Sequence, residues 1–246
     1  WDIIVDLRGS ATAYVLPGWK RVVLKGNDDS VHRVEQLARL IGVDPAPEPF
    51  VWIGPEHERR AAKILPTDER PLLVVGPSAN WIGKTWRPER FAETIARLRA
   101  VGGALEDAHV LLVGAPNERE ASEPVIASIP ENRRTEIFGT EHLLTVMACL
   151  RRASLYLGND SGLMHMAAAT GNPTIGLFGP SRDEHYRPYS KWGRAVRTDW
   201  SYDKIIENRS SPLSKEVLMD TLPGEKVVSA TRVLLEDYRK EEKQNG

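Results

Sequence analysis

Residues 153–180 read A-S-L-Y-L-G-N-D-S-G-L-M-H-M-A-A-A-T-G-N-P-T-I-G-L-F-G-P, and this stretch decides the fold. Residues 155–157 are apolar without polar alternation, the pattern of a strand buried on both faces. Gly158-Asn159-Asp160-Ser161-Gly162 is turn chemistry. Residues 163–170, rich in alanine and methionine, predict a short helix that Gly171-Asn172-Pro173 stops. Residues 174–178 predict the next strand, ended by Gly179-Pro180. A loop holding two glycines, a carboxylate and a hydroxyl therefore stands between a strand end and a helix start. Free backbone N–H groups at such a place attract anions, phosphate above all. Ala167, Ala168 and Ala169 let the helix pack close to a sheet. The plainer alternative is an ordinary βα turn in which Asp160 or Ser161 only caps the helix.

Outward from this stretch the same grammar recurs. Residues 72–75 predict a strand, followed by a long loop to Arg87 and a helix that Pro88 opens and residue 100 closes. Residues 109–113 predict a strand, followed by Gly114-Ala115-Pro116-Asn117-Glu118 and a helix to about residue 128. Residues 135–138 predict a strand, and 141–151 a helix with Leu143, Leu144, Met147 and Leu150 as its apolar stripe. This alternation predicts an α/β, doubly wound parallel sheet, whose ligands bind at the carboxyl ends of the strands. Those ends carry Gly76-Pro77-Ser78, Gly114-Ala115-Pro116, Gly139-Thr140, Gly158-Asn159-Asp160 and Gly179-Pro180-Ser181. Loops of one character on one rim predict one nucleotide-sized site.

Before this region, residues 2–7 read as a strand leading to Arg8-Gly9-Ser10, 21–24 as another, and 30–41 as a helix capped by Ser30. Residues 51–53 read as extended and 55–64 as helical. The polar, proline-bracketed residues 66–71 read as a boundary. The expected division is 1–68, 69–222 and a terminal segment 223–246. Residues 198–223 read as loop. Residues 224–243 read as an amphipathic helix with Val227, Val228, Ala230, Thr231, Val233, Leu234 and Leu235 inward.

The 246 residues are 41% hydrophobic and 27% charged, an ordinary water-soluble composition, and a net charge of -1 does not call for nucleic acid as a partner. Cys149 is the single cysteine, which rules out an intrachain disulfide and suits a reducing cytosol. No signal peptide is visible, and no apolar run reaches the length of a membrane span. The first residue is Trp1, directly before a strand, so the natural start is expected upstream.

Gly76 to Thr85 (G-P-S-A-N-W-I-G-K-T) nearly matches a P-loop, but Ser78 stands where its first glycine belongs, and Trp86-Arg87-Pro88 intervene before the helix. A phosphate-covering loop with Lys84 as a point charge is the better reading. Glu118, shortly after a strand end, suits ribose hydroxyls or, equally, the first turn of a helix. His165, one turn into its helix, is either a structural residue or within reach of a phosphate or sugar oxygen. The other histidines lack metal spacing and no D-x-D pair occurs. The absence of G-x-S-x-G and G-x-G-x-x-G argues against a hydrolase and a dinucleotide dehydrogenase.

Together, G-P-S-A-N-W-I-G-K-T-W-R-P-E-R-F, L-L-V-G-A-P-N-E, G-N-D-S-G-L-M-H-M-A-A-A and P-T-I-G-L-F-G-P-S resemble glycosyltransferase family 9, the ADP-heptose:lipopolysaccharide heptosyltransferases, from about residue 71 to 188. The resemblance implies a GT-B fold: a complete C-terminal Rossmann-like domain with a parallel sheet, and a truncated N-terminal one over residues 1–68. It implies an inverting transfer of a sugar, heptose above all, from an ADP-sugar to a lipid-linked lipopolysaccharide core acceptor, with no metal or other cofactor. It implies that the last helix packs back on the N-terminal part and that the protein works in the cytoplasm, with peripheral contact at the inner membrane face. Asn80, Lys84, Glu118, Asp160, Ser161, Gly162 and His165 fall on its donor-binding positions, and Ser78, on the same rim, is expected to join them in binding the donor. The family's catalytic base, an aspartate in a glycine–aspartate loop, is not among these residues and is expected upstream of Trp1. Asp6 is not assigned as its substitute. The alternatives are a non-catalytic nucleotide-sugar-binding remnant and a P-loop NTPase.

Overall fold

Short runs of β-branched and leucine residues build the inner strands of the main sheet of the computed structural model. The model describes residues 1–26, 28–209 and 216–245, without the side chain of residue 245. The strands are β1 (Ile3–Asp6), β2 (Lys20–Val23), β3 (Leu72–Gly76), β4 (His109–Gly114), β5 (Arg134–Phe138), β6 (Leu155–Asn159), β7 (Thr174–Phe178) and β8 (Gly193–Arg197). The helices are α1 (Thr12–Val15), α2 (Arg33–Ile41), α3 (Pro55–Ile64), α4 (Pro88–Arg99), α5 (Glu123–Ala127), α6 (Leu143–Leu150), α7 (Gly162–Ala168), α8 (Asp183–Tyr186), α9 (Tyr202–Asn208) and α10 (Gly224–Asn245).

β3 to β8 form one parallel six-stranded sheet in the order β5-β4-β3-β6-β7-β8, and β1 and β2 pair in parallel as a separate two-stranded sheet. Every residue of β3, β6 and β7 is buried, as continuous apolar runs require when helices cover both faces. One face packs Leu73, Val75, Leu112 and Leu157 against Phe91, Ile95 and Leu98 of α4. The other packs Val74, Leu111 and Tyr156 against Met147 and Leu150 of α6 and Met164 of α7.

Several elements depart from the sequence reading. Residues 193–197 form an unanticipated edge strand, β8, whose two arginines hide its pairing with β7. The segment read as loop after residue 198 contains α9, while residues 210–215 of it lie outside the described residues. The helix expected after Glu118 is broken into 3₁₀ turns and the short α5, with Pro124 at its start. α2 starts at Arg33 with His32 as its cap, because the Ser30 hydroxyl donates to Asp28 instead. Leu143 and Val233, expected inward, are 63% and 55% exposed. The buried face of α10 lies on α4 and β8, within the six-stranded unit, not on the N-terminal part.

The boundary expected at 66–71 does not separate the packing either. Ala61 and Leu65 share one core with Leu72 and α6. The N-terminal part is tied to the loop around α8 by a reciprocal histidine pair. His32 Nε2 donates to the Arg187 carbonyl at 2.8 Å, and His185 Nδ1 donates to the Val31 carbonyl at 2.6 Å. No helix among the described residues is long and apolar enough to cross a membrane.

Candidate functional site

The chain adds β4 and β5 on one side of β3, then returns to lay β6 on its other side and continues to β7 and β8. The carboxyl ends of β3 and β6 therefore flank a topological switch point, the place where open α/β sheets bind ligands. A cavity of about 740 Å³ opens there, within the range of small-molecule sites.

Asn159, the last residue of β6, organises one wall. It is fully buried; its Oδ1 accepts from the Trp86 backbone N–H at 3.0 Å and its Nδ2 donates to the Pro77 carbonyl at 3.0 Å. One side chain thus clamps both ends of the loop 77–86. Trp86, also fully buried, donates its Nε1–H to the Leu222 carbonyl and anchors the loop from behind. Lys84 ends a 3₁₀ turn in this loop, with the following helix beginning only at Pro88, so the loop is not a P-loop cradle. Lys84 Nζ meets Asp160 Oδ2 at 2.6 Å, with the carboxylate 7% exposed.

The next wall belongs to β4. The Ser78 hydroxyl donates to Glu118 Oε2 at 2.7 Å, and the Ala115 N–H donates to the same oxygen at 2.8 Å. Oε1 accepts nothing from the described residues in these two bonds, so its lone pairs are open to a ligand hydroxyl. Beyond lie Val113, Ile137 and Val146, with Pro116 and Leu143 beside them, which make the far end apolar. Gly139 shapes that end: its φ of +68° lies in the left-handed region, and a Cβ there would run into Pro116. Glu141 also lines the cavity and is gripped by Arg60 of α3 through Nε at 3.0 and 3.1 Å. That grip holds its carboxyl below the usual range.

Ser78, Asn80, Lys84, Glu118, Asp160, Ser161, Gly162 and His165 all line this one cavity. The capping alternative fails: neither Ser161 nor Asp160 caps α7 through its side chain among the described residues. His165 reaches the cavity solvent, yet protein walls it on the other sides. That desolvation lowers its pKa, against the pull of Asp160 and with the push of Lys84. The rim loop 179–181 does not contribute; Arg197 holds it by its Gly179 and Ser181 carbonyls. Asn159, Glu141, Arg60 and Tyr186 were not singled out from sequence. The only cue was that Asn159 and Trp86 belong to the quoted motifs.

Asp6, at the end of β1, accepts from Arg8 N–H at 2.8 Å, Ser10 N–H at 2.6 Å and Ser10 Oγ at 2.8 Å, and these bonds lower its pKa. A carboxylate so occupied is a poor proton acceptor. Among the described residues no three His, Cys, Asp or Glu side chains converge as a metal site.

A sequence profile of glycosyltransferase family 9 (heptosyltransferase) matches residues 8–213. The chain belongs to glycosyltransferase family 9. It is 26% identical over 186 residues to lipopolysaccharide heptosyltransferase 2 of Salmonella typhimurium, covering 72% of this chain and 52% of that one. Lipopolysaccharide heptosyltransferase 3 of Escherichia coli is 30% identical over 166 residues, covering 66% and 46%. The chain thus spans about half the length of the curated relatives it matches. A family 9 glycosyltransferase structure from Veillonella parvula aligns with a TM-score of 0.76 at 23% identity, over 96% of this chain and 74% of that one. An E. coli heptosyltransferase solved with ADP aligns at 0.64 and 19% identity, over 95% and 73%. The fold of this family 9 chain is accordingly GT-B, with the six-stranded sheet as one Rossmann-like unit.

Proposed function

We propose that this chain forms the donor side of an inverting glycosyltransferase that moves a heptose from an ADP-sugar to a lipopolysaccharide core acceptor. The observation that carries the reading is the gradient along the cavity. Lys84 and Asp160 sit at the β3–β6 end, Glu118 stands at β4, and an apolar slot closes the β5 end. From β6 to β5 is three strand steps, about 14 Å at the usual strand spacing. That span and that order of chemistry suit a nucleoside diphosphate: charge for the diphosphate, a carboxylate for the ribose, an apolar slot for the base.

On departure the diphosphate gains negative charge. Lys84, already fixed beside the site by Asp160 and by the Asn159-clamped loop, stabilises that charge without reorganising. Asp160 accepts from sugar hydroxyls, and Ser161, Gly162 and His165 border the same end. Asn80 lies on the clamped loop above it. An acceptor carried on lipid brings the protein to the cytoplasmic face of the membrane as a peripheral partner. The second reading is a nucleotide-sugar binder that does not carry out transfer.

Thermal shift of the chain against ADP, UDP, GDP and ADP-heptose tests the donor site, with Lys84→Ala as control. A ligand at a hundred times its Kd stabilises by about 2.7 kcal/mol. Stabilisation by the ADP compounds that Lys84→Ala loses is the expected result. No shift with any nucleotide refutes the donor assignment. Release of ADP that depends on added core acceptor separates the transferase from the binder.

A further inference from the structure

The carboxyl ends of β3 and β6 meet without side chains. Gly76 and Gly158 are register partners, so they share one side of the sheet. Tyr156, two residues before Gly158 on β6, belongs to that side too. Its ring leans along the strand into the gap the glycines leave: a Cβ at either one would collide with the Tyr156 hydroxyl oxygen. The residue is 1% exposed and shares its core with Val74, Leu111 and Met164. The two glycines thus let a core tyrosine carry its hydroxyl past the apolar packing to the switch point. A hydroxyl buried there is costly unless it finds a partner. Its hydrogen-bonding neighbour is Ser161, which lines the donor cavity. No other described residue offers the Tyr156 hydroxyl a bond. Burial pushes the phenol well above its ordinary range, so it keeps its proton, and Ser161 Oγ is the acceptor within reach. Ser161 stands at the N-cap position of α7 yet makes no capping bond. The tether to Tyr156 accounts for this, because it holds the serine hydroxyl down against the sheet. The residue before it, Asp160, carries the carboxylate that pairs with Lys84.

We infer that Tyr156 is a positioning residue of the donor site: from beneath the cavity its hydroxyl fixes Ser161, and through Ser161 the segment 160–162, in the orientation that receives the donor's diphosphate end. This rests on the nucleotide reading of the cavity and deepens it. Tyr156 is not among the residues that line the cavity, so it acts through Ser161 and not by touching the ligand. Holding the segment in place before the ligand arrives spares binding the cost of ordering it.

The test is calorimetric binding of ADP and of inorganic pyrophosphate to the chain, to Tyr156→Phe, to Ser161→Ala and to the double variant, with thermal melting of each. Tyr156→Phe deletes one oxygen and leaves the ring packing in place. A neutral hydrogen bond corresponds to roughly three- to tenfold in affinity. Tyr156→Phe should weaken both ligands by about that factor. Ser161→Ala should weaken them at least as much, and the double variant no more than Ser161→Ala alone, the signature of two residues acting as one unit. The melting temperature of Tyr156→Phe should hold, since the freed Ser161 hydroxyl regains its ordinary capping bond. Undiminished affinity in Tyr156→Phe overturns the inference, and a lowered melting temperature with both affinities intact would show a merely structural role. Losses that multiply in the double variant overturn it as well, because Tyr156 would then act by another route. Ser161→Ala breaks the same tether from the surface side, so full affinity in that variant overturns the inference even if Tyr156→Phe folds poorly. If the unmodified chain binds neither ligand, the nucleotide reading falls, and this inference with it. If it binds both and Tyr156→Phe matches it, only this inference falls.

Discussion

Asn159→Ala should destabilise the protein far more than its small side chain suggests. The residue is buried without exposure, and so are its two partners, the Trp86 N–H and the Pro77 carbonyl. Truncation leaves one buried donor and one buried acceptor unpaired, each costing about 1–3 kcal/mol, so roughly 2–6 kcal/mol together. A water in the vacated space would recover part of this, which favours about 2–4 kcal/mol. Urea unfolding at a slope of roughly 3 kcal/mol/M would place the midpoint about 1 M lower with an unchanged slope. Asn159→Asp is the sharper comparison. It keeps nearly the same volume and still accepts from Trp86, but it sets a carboxylate oxygen against the Pro77 carbonyl where a donor stood at 3.0 Å. It should therefore be at least as damaging as alanine. A loss below about 1 kcal/mol in Asn159→Ala, or an aspartate variant close to the parent, would refute the clamp.

Further outcomes follow from the same geometry. Glu118→Ala should weaken ADP by roughly tenfold or more while leaving inorganic pyrophosphate unchanged, since Glu118 stands in the ribose segment; competition binding with both ligands checks it. Gly139→Ala should cost about 1–2 kcal/mol for a left-handed φ, plus the collision with Pro116, read as a lowered unfolding midpoint. Burial lowers the pKa of His32 and His109 below 6.5, so between 6.5 and their folded values the unfolded chain binds more protons. Thermal stability should then be fully present above about pH 6.5 and fall as pH drops below it. His165 is likewise lowered in the free protein, and a diphosphate beside it would raise it again. Affinity for an ADP-sugar, whose diphosphate does not titrate there, should rise as pH falls through that interval, and a flat profile in calorimetry would remove His165 from the diphosphate end.

What the chain's sequence made legible divides along a physical line. β3, β6 and β7 are apolar throughout because both faces are covered, and that pattern is local. β8 was not legible, since an edge strand reading G-R-A-V-R keeps only Val196 buried. α9 hides for the same reason, with Ile205 as its buried residue. Leu143 looked like core because a stripe at helical spacing does not say whether it faces a sheet or a cavity wall; it lines the cavity.

The same division runs through the site. Lys84, Glu118 and Asp160 were legible as cavity-lining groups because each is a charge on a loop that follows a strand end. The residues that hold them were not. Asn159 reads as turn chemistry, and its role exists only through partners 73 and 82 positions away. Arg60 reads as a solvated helix charge until α3 is seen to bring it 81 positions along the chain to Glu141. Local chemistry therefore proposes which groups meet a ligand, while long-range packing decides how firmly they are held. It follows that substitutions at Asn159 and Arg60 should change binding through orientation. Their effects on ADP should then be sub-additive with Lys84→Ala for Asn159, which acts on the same loop, and additive for Arg60, which acts at the other end of the cavity.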